Sequence, residues 1–309
     1  MRSFAERAED YLRLRHALGH KLDDAVRHLP RFVAHLERIE ADTITTRIAL
    51  DWVQERQAEP NSSVWARRMT VARGFARHMA GIDPRTEIPP LGLVTFHQRW
   101  RPPFIFSEGD IKALMTEAVR AIPTRLRAAT YQTMIGLLAA TGMRVGEVIR
   151  LERADVNWDD GVILVKVSKF TKSRLLPVDS TILDALGNYA ELREQVQPRP
   201  RVSNFFISAK GTPVIYTDFG AIFRELVNAA GVGAESASIR PRIHDLRHSF
   251  AVNVLVTWYR AGEDVAALLP RLATYLGHRD PKSTYWYLSA APELLALAVG
   301  RLETSERLR

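Results

Sequence analysis

The 309-residue sequence predicts a mainly helical α+β protein with one small antiparallel sheet, divided into an N-terminal helical domain and a larger second domain. Three observations carry this. Apolar residues recur at helical spacing through the first hundred positions, prolines then interrupt the chain, and a few short β-type runs with turn signals lie within an otherwise helical remainder.

The elements follow in order. Leu22, Val26, Leu29, Val33 and Leu36 alternate at spacings of four and three, one face of a helix. Pro30 sits inside that stripe, so either the helix kinks there or two helices abut. Thr45 or Thr46 caps the next helix, with Leu50 and Val53 inward, and Ser62 or Ser63 caps a third, with Trp65, Met69, Ala72, Phe75 and Met79 inward. Its other faces carry Arg67, Arg68, Arg73 and Arg77, a pattern that suits a DNA backbone and equally a solvated surface.

Pro84, Pro89, Pro90, Pro102 and Pro103 then exclude a continuous helix, and Arg99-Trp100-Arg101 adds charge. We therefore expect an N-terminal domain over 1–98, a linker over 99–105 and a second domain over 106–309. Ser107, followed by Glu108 and Asp110, opens a new helix with acids in its first turn. The stretch from Arg125 to Leu151 reads as helix, broken and restarted at Gly142. Val162–Val167 and Arg174–Val178 read as strands and Phe205–Ser208 as a third, with turns at Asp159-Asp160-Gly161 and Lys210-Gly211. From Thr217 onward the pattern is helical, ending in the apolar run Pro292–Ala298.

Composition bounds the function. Hydrophobic residues are 46% and charged residues 25%, ordinary for a globular chain. The formal net charge is +8, and only seven of the 43 basic residues are lysine. Arginine suits bidentate phosphate contacts, so the bias points to a polyanionic partner, although a coding bias towards arginine would look the same. The absence of cysteine excludes disulfides and thiolate metal sites. The N-terminus is charged where a signal peptide needs an apolar run, and no stretch is long and apolar enough to span a bilayer, so a cytoplasmic location is expected.

Four segments carry chemistry. In Thr141-Gly142-Met143-Arg144-Val145-Gly146-Glu147, the helix break aims Arg144 towards a cleft and places Glu147 three residues on, able to hold the guanidinium; alone, this reads as a surface ion pair. Lys169 and Lys172 fall between two strands, where an ammonium can protonate a leaving alkoxide, and the two compete for that role. In His244-Asp245-Leu246-Arg247-His248 the spacing puts His244, Arg247 and His248 near one another. His244 and His248 have the spacing of a helical zinc pair, yet Asp245 rather than glutamate follows His244, and Arg247 in the same turn repels a dication, so we expect no metal. Finally, Tyr285 and Tyr287 follow Leu276-Gly277-His278 and point to different helical faces, so only one can meet a cleft.

In order and spacing these segments resemble the tyrosine recombinases, the phage-type integrases, over residues 105–300. The family's pattern is an Arg within Thr-Gly-x-Arg-x-x-Glu, a hairpin Lys, His-x-Leu-Arg-His, Leu-Gly-His, and a Tyr nine residues beyond that last His; all five occur here. The resemblance implies a site-specific recombinase that cleaves and rejoins DNA through a 3′-phosphotyrosine, without metal or nucleotide cofactor. It implies catalytic roles for Arg144, Lys169, His244, Arg247, His278 and Tyr287. Arg144, Arg247 and His278 would bind the phosphate, and His244 would contact it or assist proton transfer. Lys169 is the better match to the general acid because Pro177 lies eight residues beyond it, as the family's hairpin requires; the nine-residue spacing favours Tyr287 over Tyr285. Glu147, Lys172 and His248 would support the site. Arg67, Arg68, Arg73, Arg77 and Arg174 are candidate DNA contacts.

The partners implied are a duplex recombination site and three further copies of the chain, with no membrane, and the N-terminal domain resembles the family's core-binding domain. The stretch from Gly262 to His278 is several residues longer than in compact family members and, with the Tyr-Trp-Tyr ending, looks more like transposon-encoded integrases. A type IB topoisomerase-like nicking-closing enzyme, or a non-catalytic DNA-binding protein of the same fold, are the alternatives.

Overall fold

The computed structural model describes residues 3–20, 22–55, 63–94, 102–166, 173–234 and 239–278, together with Thr284, Tyr287 and Leu294. The chain divides into two compact units, Met1–Trp100 and Arg101–Arg309.

The first unit is helical among its described residues: α1 (Phe4–Ala17), α2 (Asp23–Arg38), α3 (Thr46–Gln54) and α4 (Ser63–Ala80). Ser3 and Glu6 form a capping box at α1, and Thr45 caps α3 by accepting from the Ile48 amide at 3.2 Å. The α2 stripe is the expected one with a correction at its start. Leu29, Val33 and Leu36 are buried, Val26 is exposed, and Ala25 and Phe32 complete the inward face. Val26 lies about 100° round the helix from Ala25, at the edge of the stripe. Pro30 neither splits nor ends α2, which runs through it. Both Pro30 and Val26 face solvent, so the Val26 carbonyl deprived of a helical donor faces water.

The four arginines of α4 divide. Arg67 and Arg77 are exposed. Arg68 is buried: its guanidinium lies 4.1 Å from the centroid of the Trp52 ring and donates to the Trp52 carbonyl, with Glu55 at 3.8 Å. Arg73 donates to the carbonyls of Pro89 and Pro90, both at 2.8 Å, tying the proline segment to α4. Two of the four candidate DNA contacts on this helix are therefore engaged in holding the unit together. Helical periodicity marked all four as off the main apolar stripe; it does not distinguish a solvated arginine from one stacked on a neighbouring tryptophan.

The second unit contains α5 (Glu108–Ala121), α6 (Arg125–Thr141), α7 (Val145–Ile149), the strands β1 (Val156–Asn157), β2 (Val162–Val165) and β3 (Arg174–Pro177), then α8 (Ser180–Val196), α9 (Tyr216–Ala229), α10 (Ile243–Arg260) and α11 (Val265–Leu276). The sheet is antiparallel in the order β1-β2-β3, with Leu164 opposite Leu175. It agrees with the expected fold class, but its third strand is β1. Phe205–Ser208 makes a single isolated bridge, at Ile207, and Phe205, Phe206 and Ile207 are instead packed with Tyr189 in the core. The run pairs with Pro213, whose nitrogen donates nothing, so the ladder stops there.

Two apolar clusters fill this unit. One joins α5, α6, the sheet, α8 and α9; the other joins α10 and α11 with Tyr287 and Leu294. Ser249 of α10 links them, accepting from the Phe106 amide and donating to the Asp245 carbonyl, each at 2.8 Å. Among the described residues no helix is long and apolar enough to cross a membrane. Of the run 292–298, only Leu294 is described, and it is buried.

Candidate active site

The site forms where the C-termini of α6 and α11 approach α10. Helix α6 ends at Gly142 in the left-handed conformation, φ +61°, and a Cβ there would come within 2.5 Å of the Phe250 ring. Only glycine fits, and the turn it makes exposes its carbonyl to Arg247. Arg144 follows in extended conformation as the N-cap of α7. At α10, the buried Asp245 accepts from the Arg242 amide at 2.9 Å and from its guanidinium at 2.8 Å, which fixes the helix start. That start determines where His244, Arg247 and His248 project.

Three guanidiniums converge on the C-terminus of α11. Arg174 donates to the Tyr275 carbonyl at 2.8 Å, Arg247 to that of Leu276 at 2.8 Å and Arg144 to that of Gly277 at 2.6 Å. Arg247 also donates to the Gly142 carbonyl at 2.7 Å, so it bridges two helix C-termini. Carbonyls left without helical partners carry partial negative charge, which favours cations at this end. Gly277 is itself left-handed, φ +69°, and a Cβ there would lie 2.9 Å from Arg174, so the approach of the arginines requires glycine.

Glu147 is the shared carboxylate. It accepts from the Arg144 amide and guanidinium, each at 2.9 Å, and from Arg174 at 2.8 and 3.0 Å. Burial pushes its carboxyl up, but the Arg174 and Arg144 hydrogen bonds outweigh it and bring it down to about 2. Two of the three guanidiniums pair with this carboxylate and Arg247 donates to carbonyls, an excess of positive charge suited to an anion. Arg144 keeps 40% of its side chain accessible and is placed to meet one; Arg247 is buried.

The aromatic side of the site is Tyr287 with two histidines. The Tyr287 ring centroid lies 5.9 Å from that of His278, nearly parallel, and 5.4 Å from that of His248. Burial raises the pKa of its phenol, and the nearby charge of Arg247 opposes the rise. His244 packs edge-on to His248 at 4.7 Å. Desolvation and the Arg247 charge lower the His244 pKa. Burial lowers His248 to about 3, with His244 adding to it, and lowers His278 to about 4, with Arg247 and Arg144 adding. Near neutral pH these rings are uncharged, held so first by burial, with the surrounding cations adding to it. His278 Nδ1 lies 2.7 Å from the hydroxyl of Thr284, which is 1% exposed.

These shifts fix a pH dependence. A pKa depressed by folding leaves stability intact above the unfolded value and withdraws it as pH falls towards the folded one. The loss therefore starts below about 6.5 for the histidines and below about 4.5 for Glu147. Between pH 6.5 and 5 we expect up to about 1–2 kcal/mol lost per histidine, reduced by solvent screening at these partly open positions. Melting temperature measured from pH 7.5 to 5 should fall, and His248→Phe should flatten the curve. A melting temperature constant over that range would refute neutral buried imidazoles.

Of the residues picked out by sequence, the structure brings together Arg144, Glu147, His244, Arg247, His248, His278 and Tyr287. Arg174 joins them, where a DNA contact was expected. It is 11% exposed, and its charge is engaged by Glu147 and Tyr275, so it serves the interior of the site. Lys169, Lys172 and Tyr285 lie outside the described residues. Thr284 was missed; the signal available was its place three residues before Tyr287, on the same helical face. The lengthened stretch after Gly262 is α11 itself, with Val265, Leu269, Leu272 and Leu276 in the core.

A model of the phage integrase family matches residues 105–293. The y4rB protein of Sinorhizobium fredii, named as an integrase/recombinase, is 39% identical over 308 residues, covering 98% of each chain. Among solved structures, the XerH site-specific recombinase bound to its palindromic difH substrate superposes with a TM-score of 0.65 at 16% identity, covering 97% of this chain and 85% of that one. A lambda integrase tetramer bound to a Holliday junction gives 0.60 at 15% identity, covering 93% and 77%. At those identities the structural likeness concerns the fold.

Proposed function

The chain belongs to the phage integrase family, a tyrosine recombinase that breaks and rejoins DNA at specific sites, and from that premise we propose that Tyr287 is its nucleophile. The observation that carries this reading is the buried Tyr287, its ring stacked beside His278 and its phenol under the charge of Arg247 and Arg144.

In this reading Arg144, Arg247 and His278 hold the non-bridging oxygens of the scissile phosphate and stabilise the phosphorane, where charge develops. The Tyr287 oxygen forms a bond to phosphorus while the bond from phosphorus to the 5′ oxygen breaks. Lys169 gives its proton to that oxygen. His244, neutral near pH 7, contacts the phosphate or takes the phenol's proton. The products are a 3′-phosphotyrosine and a 5′-hydroxyl, and reversal of the same steps religates without an external energy source. Glu147 fixes Arg144, His248 packs behind Tyr287, and Lys172 contacts DNA.

We further assign residues 1–98 as a core-binding domain, 99–105 as a linker and 106–309 as the catalytic domain. Arg67 and Arg77 of α4 are the arginines available to the DNA backbone. The working assembly is a tetramer on two duplex sites, supported by the tetramer that lambda integrase forms on a Holliday junction, acting on the chromosome within the cytoplasm and moving a transposon-like element.

A nicked suicide duplex tests this. The full-length protein, incubated with a duplex that it has itself selected from a random pool, should yield a denaturation-resistant adduct at the 3′ side of one phosphate. Relaxation of plasmid lacking that sequence, with no strand exchange between sites, would instead identify a nicking-closing enzyme.

A further inference from the structure

We propose that Thr284 is a positioning residue that donates its hydroxyl proton to His278 Nδ1, fixing the neutral ring with its proton on Nε2 and that edge turned to the reacting phosphate. The proposal rests on the role given above to His278.

Three observations and the proton count of a neutral imidazole support it. The Thr284 hydroxyl is 2.7 Å from Nδ1 and its residue is 1% exposed, so water does not compete for the contact. A neutral imidazole carries one proton, and the nitrogen that accepts a hydrogen bond determines that the other bears it. The three nearby guanidiniums give their hydrogen bonds to carbonyls and to Glu147, and none is given to the ring. Thr284 and Tyr287 are helical and three residues apart, so a single backbone segment holds both the nucleophile and the group that orients its neighbour.

The chemistry requires this tautomer. A lone pair on Nε2 would repel a phosphate oxygen, whereas an N–H stabilises the charge that grows there in the pentavalent state. Serine at 284 keeps the donor, and valine keeps the shape without it.

The test uses the full chain with nitrogen-15 labelled histidine, with the His278 signals assigned through His278→Gln. In the parent protein the Nδ1 resonance should be that of an unprotonated nitrogen accepting a hydrogen bond. It should move to the unbonded position in Thr284→Val and return in Thr284→Ser. Single-turnover cleavage of the suicide duplex at saturating protein should slow roughly tenfold in Thr284→Val, short of the 10²–10³ expected for losing a donor outright. Half-saturation should not change, and Thr284→Ser should cleave like the parent. A protonated Nδ1 in the parent overturns the proposal, and so does a Thr284→Val protein that cleaves at the parent rate. That second result, with His278→Ala still impaired, leaves the role of His278 standing; His278→Ala cleaving at the parent rate would instead remove that role and the proposal with it.

Discussion

Tyr287→Phe is expected to abolish the covalent protein–DNA adduct and to leave duplex binding intact. The substitution removes one oxygen. The ring keeps its stacking on His278 and its contact with His248, so the packing of α10 and α11 should survive. Removing the buried phenol oxygen should change stability by no more than about 1 kcal/mol, small beside the complete loss of a nucleophile. A gel resolving bound, free and covalently trapped DNA separates the two effects. An adduct that persists in Tyr287→Phe and disappears in Tyr285→Phe would move the nucleophile by two residues and overturn the proposed site.

Arg247→Lys should be the most damaging conservative change, because it acts on fold and chemistry together. The planar fork of Arg247 reaches the Gly142 and Leu276 carbonyls at once. A lysine carries the charge on one point and cannot span two helix ends. Losing one of these charge-assisted bonds in a buried site should cost about 1.5–3 kcal/mol. Burial and the Arg144 charge lower the Arg247 pKa to about 10, so the group remains charged near neutral pH, as a phosphate ligand must. Cleavage should fall by about 10²–10³-fold or more. Thermal melting with single-turnover cleavage tests both parts; a variant that melts and cleaves like the parent would show that Arg247 is neither ligand nor brace.

Much of the site was legible because its parts are short and local. Gly142 announces a helix end, and the turn that follows must present whatever stands at 144. The i to i+3 spacing of His244 and Arg247 and the nine residues from His278 to Tyr287 are distances along the chain, and they carry over into space through helical geometry. What the sequence hid depends on partners far away in it. Arg174 lies 101 residues from Tyr275, whose carbonyl it caps, and no periodicity reports such a pairing. Arg68 looked like its neighbours on α4 until Trp52, 16 residues earlier, was placed beside it. Phe205–Ser208 has strand composition, but Pro213 and a crowded aromatic core decide otherwise. The zinc reading of His244 and His248 was weighed on sequence alone. The structure adds that burial is the main cause of the lowered pKa at both, with the Arg247 charge next at His244 and His244 next at His248, an environment that disfavours added positive charge.

The three carbonyls at the end of α11 give that helix two unlike ends. Residues 275–277 are each pinned by a different arginine, so deleting or inserting one residue within α11 just ahead of Tyr275 would rotate the carbonyls by about 100° and break all three contacts at once. At the other end, between Gly262 and Asp264, nothing in the site depends on register. Length variation among related chains is therefore tolerable at the start of this helix and not at its finish: a segment can grow outward by whole turns while its last residues stay where they are.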